Sequence, residues 1–210
     1  LVDGLGASEG RECKSTEVVE ADDMVGIRID GTGLCLARKS WQDMFIGRLV
    51  LLVDASYWLV IDRVEPNNGR HWVESRYMTY ADTQRDGNTV SFTMTAQRTS
   101  EIGNSAHSGT LPTMQHDAHM QMTYASIGDP VIREAVGMPT ATHVPAATIY
   151  RCVDSDAFED TLHVVALNPG ISTLGLKLQR KDEDTYIIEV AKPGGESRRI
   201  RISSRLQLKP

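Results

Sequence analysis

Apolar residues along this chain recur at every second position or in short unbroken runs, with turn residues between them. Both patterns belong to β-strands rather than helices. Val25 to Asp30 alternates, with Val25, Ile27 and Ile29 on one face, and Asp30-Gly31-Thr32-Gly33 follows as a turn. Arg48 to Arg63 is the strongest stretch. Leu49 to Val53 runs apolar, Asp54-Ala55-Ser56 is a polar break, and Tyr57 to Ile61 runs apolar again. That order predicts a hairpin buried on both faces.

His71 to Tyr80 alternates large residues. His71, Val73, Ser75, Tyr77 and Thr79 share one face; Trp72, Glu74, Arg76, Met78 and Tyr80 share the other. Asp86-Gly87-Asn88 reads as the tight turn joining this strand to Thr89–Ala96, where Val90, Phe92 and Met94 point inward. Residues 97–117 are rich in Gly, Ser, Thr, Asn and Pro, a loop long enough to be functional or mobile. Further strands are expected at Met120–Tyr124, Thr148–Cys152, Thr161–Leu167, Leu174–Leu178, Thr185–Val190 and Arg199–Ile202. The best helical candidate is Asp129–Val136, with Pro130 in its first turn. Roughly ten to twelve short strands predict an all-β, antiparallel, supersandwich-like fold with little helix, a single domain over residues 1–210.

Composition narrows the partners. The 210 residues suffice for one substantial core, and the net charge of -6 disfavours nucleic acid. The longest apolar run, Leu49–Val53, is far short of the roughly 20 residues that cross a bilayer. Cys13, Cys35 and Cys152 form no Cys-x-x-Cys, so a thiolate zinc site is not expected and free buried thiols are. The tail Glu196–Arg201, with three arginines, reads as a solvated edge strand.

Two groups of residues could carry chemistry. Arg70, His71 and Trp72 open a strand that continues through Arg76, Tyr77 and Tyr80. Rings stack on the apolar face of a pyranose and Arg pairs with a uronate carboxylate; the same residues also fit ordinary core and rim positions of a sheet. His116, Asp117 and His119 form the second group, and as an extended segment Asp117 and His119 share a face. They fit a solvated loop, a substrate contact or, weakly, metal ligation, for which two histidines are too few. His163, inside Leu-His-Val-Val-Ala-Leu, reads as structural. No Gly-x-Ser-x-Gly turn, dinucleotide loop or paired carboxylates are present.

The order of several segments resembles the heparinase II/III-like polysaccharide lyases, a family that includes alginate and oligoalginate lyases. Leu1-Val2-Asp3-Gly4 is similar to the end of that family's His-Asn-Thr-(hydrophobic)-Val-Asp-Gly segment. Arg48–Val53 followed by Tyr57–Val64 is similar to its Arg-apolar strand, short turn and Tyr-apolar strand ending in Asp-Arg. Arg70-His71-Trp72 matches the start of its next long strand, and Leu162–Pro169 its late strand ending in a Leu-x-Pro turn.

The resemblance implies an α/α-toroid domain followed by a large antiparallel sandwich. It implies β-elimination on acidic polysaccharide, and a periplasmic or secreted bacterial location. The family's catalytic Asn, His and Tyr, and the metal-ligand His, fall upstream of Leu1, so catalytic residues and a zinc-like divalent metal are expected there and none within this chain. Arg70, His71, Trp72, Arg76, Tyr77, His116 and His119 stand as candidates for substrate binding. The expected partners are an acidic oligo- or polysaccharide and the N-terminal helical part of the same enzyme, covalent or separate. Two other readings are a carbohydrate-binding or structural sandwich without catalysis, and a mutarotase- or epimerase-like sugar enzyme. The last requires a convergent His and carboxylate.

Overall fold

The computed structural model describes residues 14–32, 44–65, 71–97, 99, 116–127, 131–137, 147–157 and 161–210. Fifteen strands are found among them, β1 Ser15–Ala21, β2 Met24–Asp30, β3 Phe45–Val53, β4 Tyr57–Glu65, β5 His71–Thr79, β6 Asp82–Asp86, β7 Thr89–Met94, β8 Ala118–Ile127, β9 Val131–Gly137, β10 Ala147–Ala157, β11 Thr161–Pro169, β12 Gly175–Asp182, β13 Thr185–Ala191, β14 Ser197–Ser203 and β15 Leu208–Lys209. The all-β antiparallel sandwich expected from the alternation is what forms, with all the strand pairs antiparallel.

Three sheets build it. The central one has the order β1-β2-β3-β4-β11-β8-β7-β6; β5-β10-β9 and β12-β13-β14-β15 form the other two. The period of 2 decides which side chain meets which layer. Leu49, Leu51, Leu59, Ile61, Val164 and Ala166 point to one side and pack on Tyr186, Ile188, Ile200 and Ile202 of the β12–β15 sheet. The intervening Val60 and Val165 point to the other, with Met122 and Tyr124, and pack on Tyr150 of β10 and Tyr77 of β5. A central sheet covered on both sides needs strands apolar on both faces. β11 meets that need: Thr161 to Ala166 are all buried, which accounts for its unbroken Leu-His-Val-Val-Ala-Leu. Each such Leu or Ile contributes about 2–3 kcal/mol by burial, so Leu51→Ala would cost about 2–5 kcal/mol.

Several expectations are corrected. Val131–Gly137 is strand β9, not a helix, and pairs along its whole length with β10. Its Val131, Ile132 and Val136 are β-branched and suit the pleat better than a short helical turn; Asp129 and Pro130 lie outside the described residues. The Asp86-Gly87-Asn88 turn joins β7 to the short β6, not to the His71–Tyr80 strand. β5 has left for another sheet before that turn is reached. The arginine-rich tail is an edge over most of its length: among the described residues β14 pairs with β13 throughout but with β15 only at Arg201 and Ile202. The β3–β4 hairpin has one face buried up to Glu65 at its end; on the other, Arg48 and Trp58 are exposed.

Among the described residues, that second face loses its cover toward β1. Val18, Ile27 and Val50 are in register, as are Val25, Leu52 and Trp58. Val18, Val25, Ile27 and Trp58 are 42–69% exposed. Gly26 holds β2 close to β3, since an added Cβ would meet the Val50 carbonyl oxygen at 2.0 Å.

Candidate functional site

The hairpin and β5 bring one polar cluster together between the central sheet and its smaller cover. Arg48 and Asp62 are direct cross-strand partners on β3 and β4, and His163 of β11 is the next residue in the same line. Arg48 donates from Nε to Asp62 Oδ1 at 2.6 Å and from Nη2 to Oδ2 at 2.8 Å, a two-pronged ion pair. Ser75 of β5 donates from Oγ to Asp62 Oδ2 at 2.6 Å, tying the cover to the hairpin. The Asp62 side chain is 15% exposed and that of Arg48 48%. The hydrogen-bonded carboxylate raises the Arg48 guanidinium above its ordinary range, against the partial burial that opposes its charge. His163 is buried beside the pair.

Tyr77 stands two residues beyond Ser75, edge-on to Tyr124 with ring centroids 5.8 Å apart. Chemically the cluster offers a fixed, half-exposed guanidinium, a hydroxyl, a buried imidazole and two phenol rings. The acidic group that Arg48 and Ser75 hold here is Asp62 itself. Asp62, carrying Arg48 and Ser75 at once, is a positioning residue.

The predicted substrate-binding residues fall in three places. His71 and Tyr77 face the central sheet, His71 buried at the start of β5 and Tyr77 in the cluster. Trp72 and Arg76 face outward, because neighbours on a strand alternate. There they share Glu74, itself buried: Trp72 Nε1 donates to Glu74 Oε2 at 3.3 Å, and Arg76 Nε donates to Glu74 Oε1. His116 and His119 are exposed at the far end of the central sheet, where His119 Nδ1 lies 3.2 Å from Thr93 Oγ1. Position 119 is seven residues along β8 from Ser126, the partner of His163, so about 24 Å from the cluster line at roughly 3.4 Å per residue. Arg70 lies outside the described residues, as do His107, His143, Cys13, Cys35, Leu1–Gly4 and most of the 97–117 loop.

Sequence reasoning did not single out Arg48, Asp62, Ser75 or His163 as a site. The available signal was polarity in the wrong place: a charge at each end of an apolar hairpin and a histidine in the most apolar strand. Among the described residues no group of three or more His, Cys, Asp or Glu could hold a metal ion. The divalent metal that the resemblance implies therefore has no ligand set among them. No described helix is long and apolar enough to cross a membrane.

No family profile and no curated protein matches the chain. Solved structures do. Two heparinase III structures match with a TM-score of 0.62; one covers 91% of this chain at 12% identity, the other 90% at 10%. A heparan sulfate lyase HepC from Pedobacter heparinus matches over 93% of this chain with a TM-score of 0.53 and 11% identity. The chain spans only 27–28% of the length of these proteins. At such identities the likeness is one of fold: the three-sheet arrangement of this chain is similar to a β-domain found in heparinase III and heparan sulfate lyase.

Proposed function

We propose that this chain is the C-terminal β-sandwich part of a polysaccharide lyase that cleaves uronate-containing polysaccharide, alginate- or glycosaminoglycan-like, by β-elimination. The observation that carries this reading is the fold match to heparinase III over 91% of the chain. In β-elimination a base takes the C5 proton of the uronate. The electrons of that C–H bond form the C4=C5 double bond, the C4–O bond breaks, and an acid protonates the leaving oxygen. In this reading the base, the acid and any divalent metal belong to an upstream helical part and early sandwich. The present chain supplies the scaffold and one wall of the substrate cleft, and the enzyme works in the periplasm or outside the cell.

The apolar rows around Val18, Ile27 and Trp58, exposed among the described residues, support a large partner. A sheet face of this kind is normally buried against another domain, and the solved lyases are more than three times as long as this chain. The upstream helical part is the occupant proposed for it.

A sandwich that binds acidic sugar without catalysis is the second reading. It is favoured by the internal engagement of Asp62, which already accepts from Arg48 and Ser75. An epimerase-like reading would draw on Asp62 and His163, which are register partners. Both lie beneath β5, with little surface left for a sugar.

Expression of the chain alone and together with the region upstream of Leu1 separates the readings. The lyase predicts that the combined protein, and not the chain alone, generates the ultraviolet absorbance of an unsaturated uronate from alginate or a glycosaminoglycan. An upstream region lacking both a helical domain and a His-Asn-Thr segment, with no product from the combined protein, overturns it.

A further inference from the structure

Two strand edges of opposite charge lie side by side in the sandwich. β1 ends the central sheet and is paired with β2 alone among the described residues. β14 is paired with β15 only at Arg201 and Ile202, which leaves its Ser197–Ile200 edge open among the described residues. Between the two edges runs an open groove of about 810 Å³, with Val19, Met24, Ile200 and Leu208 in its lining. Ile200 is buried in the core, and the other three pack against that core partly buried. Arginines tie the two sheets together at both ends of the groove. Arg28, opposite Glu17 at the start of β1 and ion-paired with it, donates from Nη1 to the Arg205 carbonyl oxygen at 3.3 Å, just beyond the end of β14. Asp23, just beyond the end of β1, accepts from Arg198 near the start of β14 at 3.1 Å. β1 and β14 therefore run in opposite directions. Glu17 and Glu20 are exposed on β1, and Arg199 and Arg201 on β14. The Arg199 side chain, 3.5 Å from Glu189, is still 72% exposed. An open edge is a template for a further strand, and its charges decide which strand it admits. Each of these edges repels its own kind, whereas β1 and β14 attract one another.

We propose that these paired edges are an interface with a second copy of the chain, β1 of each copy extending the C-terminal sheet of the other. A half-turn about an axis along the strands, set in the groove between the two sheets, exchanges the sheets and keeps strand direction. β1 of one copy then meets β14 of the other as an antiparallel neighbour, and the reverse contact follows by symmetry. The pleat fixes the register, because Val19 faces the core and needs an inward-facing neighbour. Set opposite Ile200 of the other copy, it places Glu20 opposite Arg199, an acid–base pair on the outer face. Val19, Met24, Ile200 and Leu208 of both copies then form one shared apolar core, and both open edges are covered. β15 confines the ladder to Ser197–Ile200, so the interface is small and its affinity micromolar.

The test is sedimentation equilibrium of the full chain across the micromolar range. The unsubstituted chain should be a monomer–dimer mixture that shifts toward monomer as salt is raised. Glu20→Arg and Arg199→Glu each set like charges opposite one another twice per dimer, so each alone should dimerise at least about tenfold more weakly. An equimolar mixture of the two variants restores opposite charges at both contacts and should recover the unsubstituted affinity within about threefold. Recovery on mixing also shows that both variants are folded, including Arg199→Glu, whose position lies opposite Glu189. Monomer at every concentration, single variants within about twofold of the unsubstituted chain, or a mixture that does not recover overturns the proposal. A dimer that is lost once the region upstream of Leu1 is joined to the chain gives the edge to that region and overturns it too. The lyase reading is untouched by any of these outcomes, since it turns on formation of the unsaturated uronate.

Discussion

Asp62 is the less exposed partner of Arg48, and Arg48 is the exposed partner of Asp62. Two hydrogen bonds of 2.6 and 2.8 Å join them, and Ser75 adds a third to the same carboxylate at 2.6 Å. The difference in exposure, 15% against 48%, makes the pair asymmetric. Removing Arg48 strands a carboxylate that water hardly reaches. Removing Asp62 frees a guanidinium that water can solvate.

Arg48→Ala should therefore destabilise more than Asp62→Ala, by about 2–3 against about 1–2 kcal/mol. A double-mutant cycle by urea unfolding at neutral pH should return a coupling of about 1–2 kcal/mol. Equal costs for the two single variants, or no coupling, would mean that the pair is solvated and holds nothing in place.

Tyr57 sits at the start of β4, fully buried, and its hydroxyl finds no hydrogen-bond partner among the described residues. Burial, with the nearby Asp54 charge, pushes its phenol up to about 12. In the unfolded chain the phenol ionises near pH 10. The stability this contributes is present below pH 10 and is lost between about pH 10 and 12, as the unfolded chain gives up its proton first. Tyr57→Phe should leave stability at pH 7 within about 0.5 kcal/mol and flatten its decline above pH 10. Urea midpoints measured at pH 7 and pH 11 check both parts.

Asp54 joins the β3–β4 turn to the C-terminal sheet. It accepts from Lys192 Nζ at 2.7 Å and from Arg198, which also reaches Asp23 at 3.1 Å. The Lys192 hydrogen bond and the two cations lower its carboxyl below the ordinary range, against a smaller opposing effect of burial. Stability of this kind is full above about pH 4 and lost as the pH falls through the folded value. Asn also accepts the positive φ of 52° at this turn. Asp54→Asn should cost about 1 kcal/mol at pH 7, and the gap should close near pH 3. A gap that persists at pH 3 would assign the loss to packing instead of charge.

His116 and His119 stand about 24 Å along β8 from the Arg48–Asp62–His163 line. His116→Ala/His119→Ala should keep the affinity for an acidic oligosaccharide within about twofold. A tenfold loss in the titration would move the sugar to the β7–β8 end of the sheet.

The strands were legible because burial of alternate side chains writes itself into the chain. Val90, Phe92 and Met94 point inward as their spacing predicts, and the continuous apolar runs of β3, β4 and β11 mark the centre of the fold. Short stretches were less legible. Asp129–Val136 has a proline where a first helical turn would start, and its β-branched Val131, Ile132 and Val136 settle into a strand by pairing with β10.

What the chain determined by itself was the class of fold and the two-faced character of each strand, since the pleat forces neighbours to opposite sides. That alternation already separated His71 and Tyr77 from Trp72 and Arg76. Tertiary structure alone decided which strands became neighbours. Arg48 and Asp62 meet through a local hairpin. His163 reaches their line from about a hundred residues away only because β11 inserts between β4 and β8. The pairing of β10 with both β5 and β9 depends in the same way on β5 leaving the central sheet. Periodicity records which face a residue takes; the strand lying beside it is settled by packing across the whole domain.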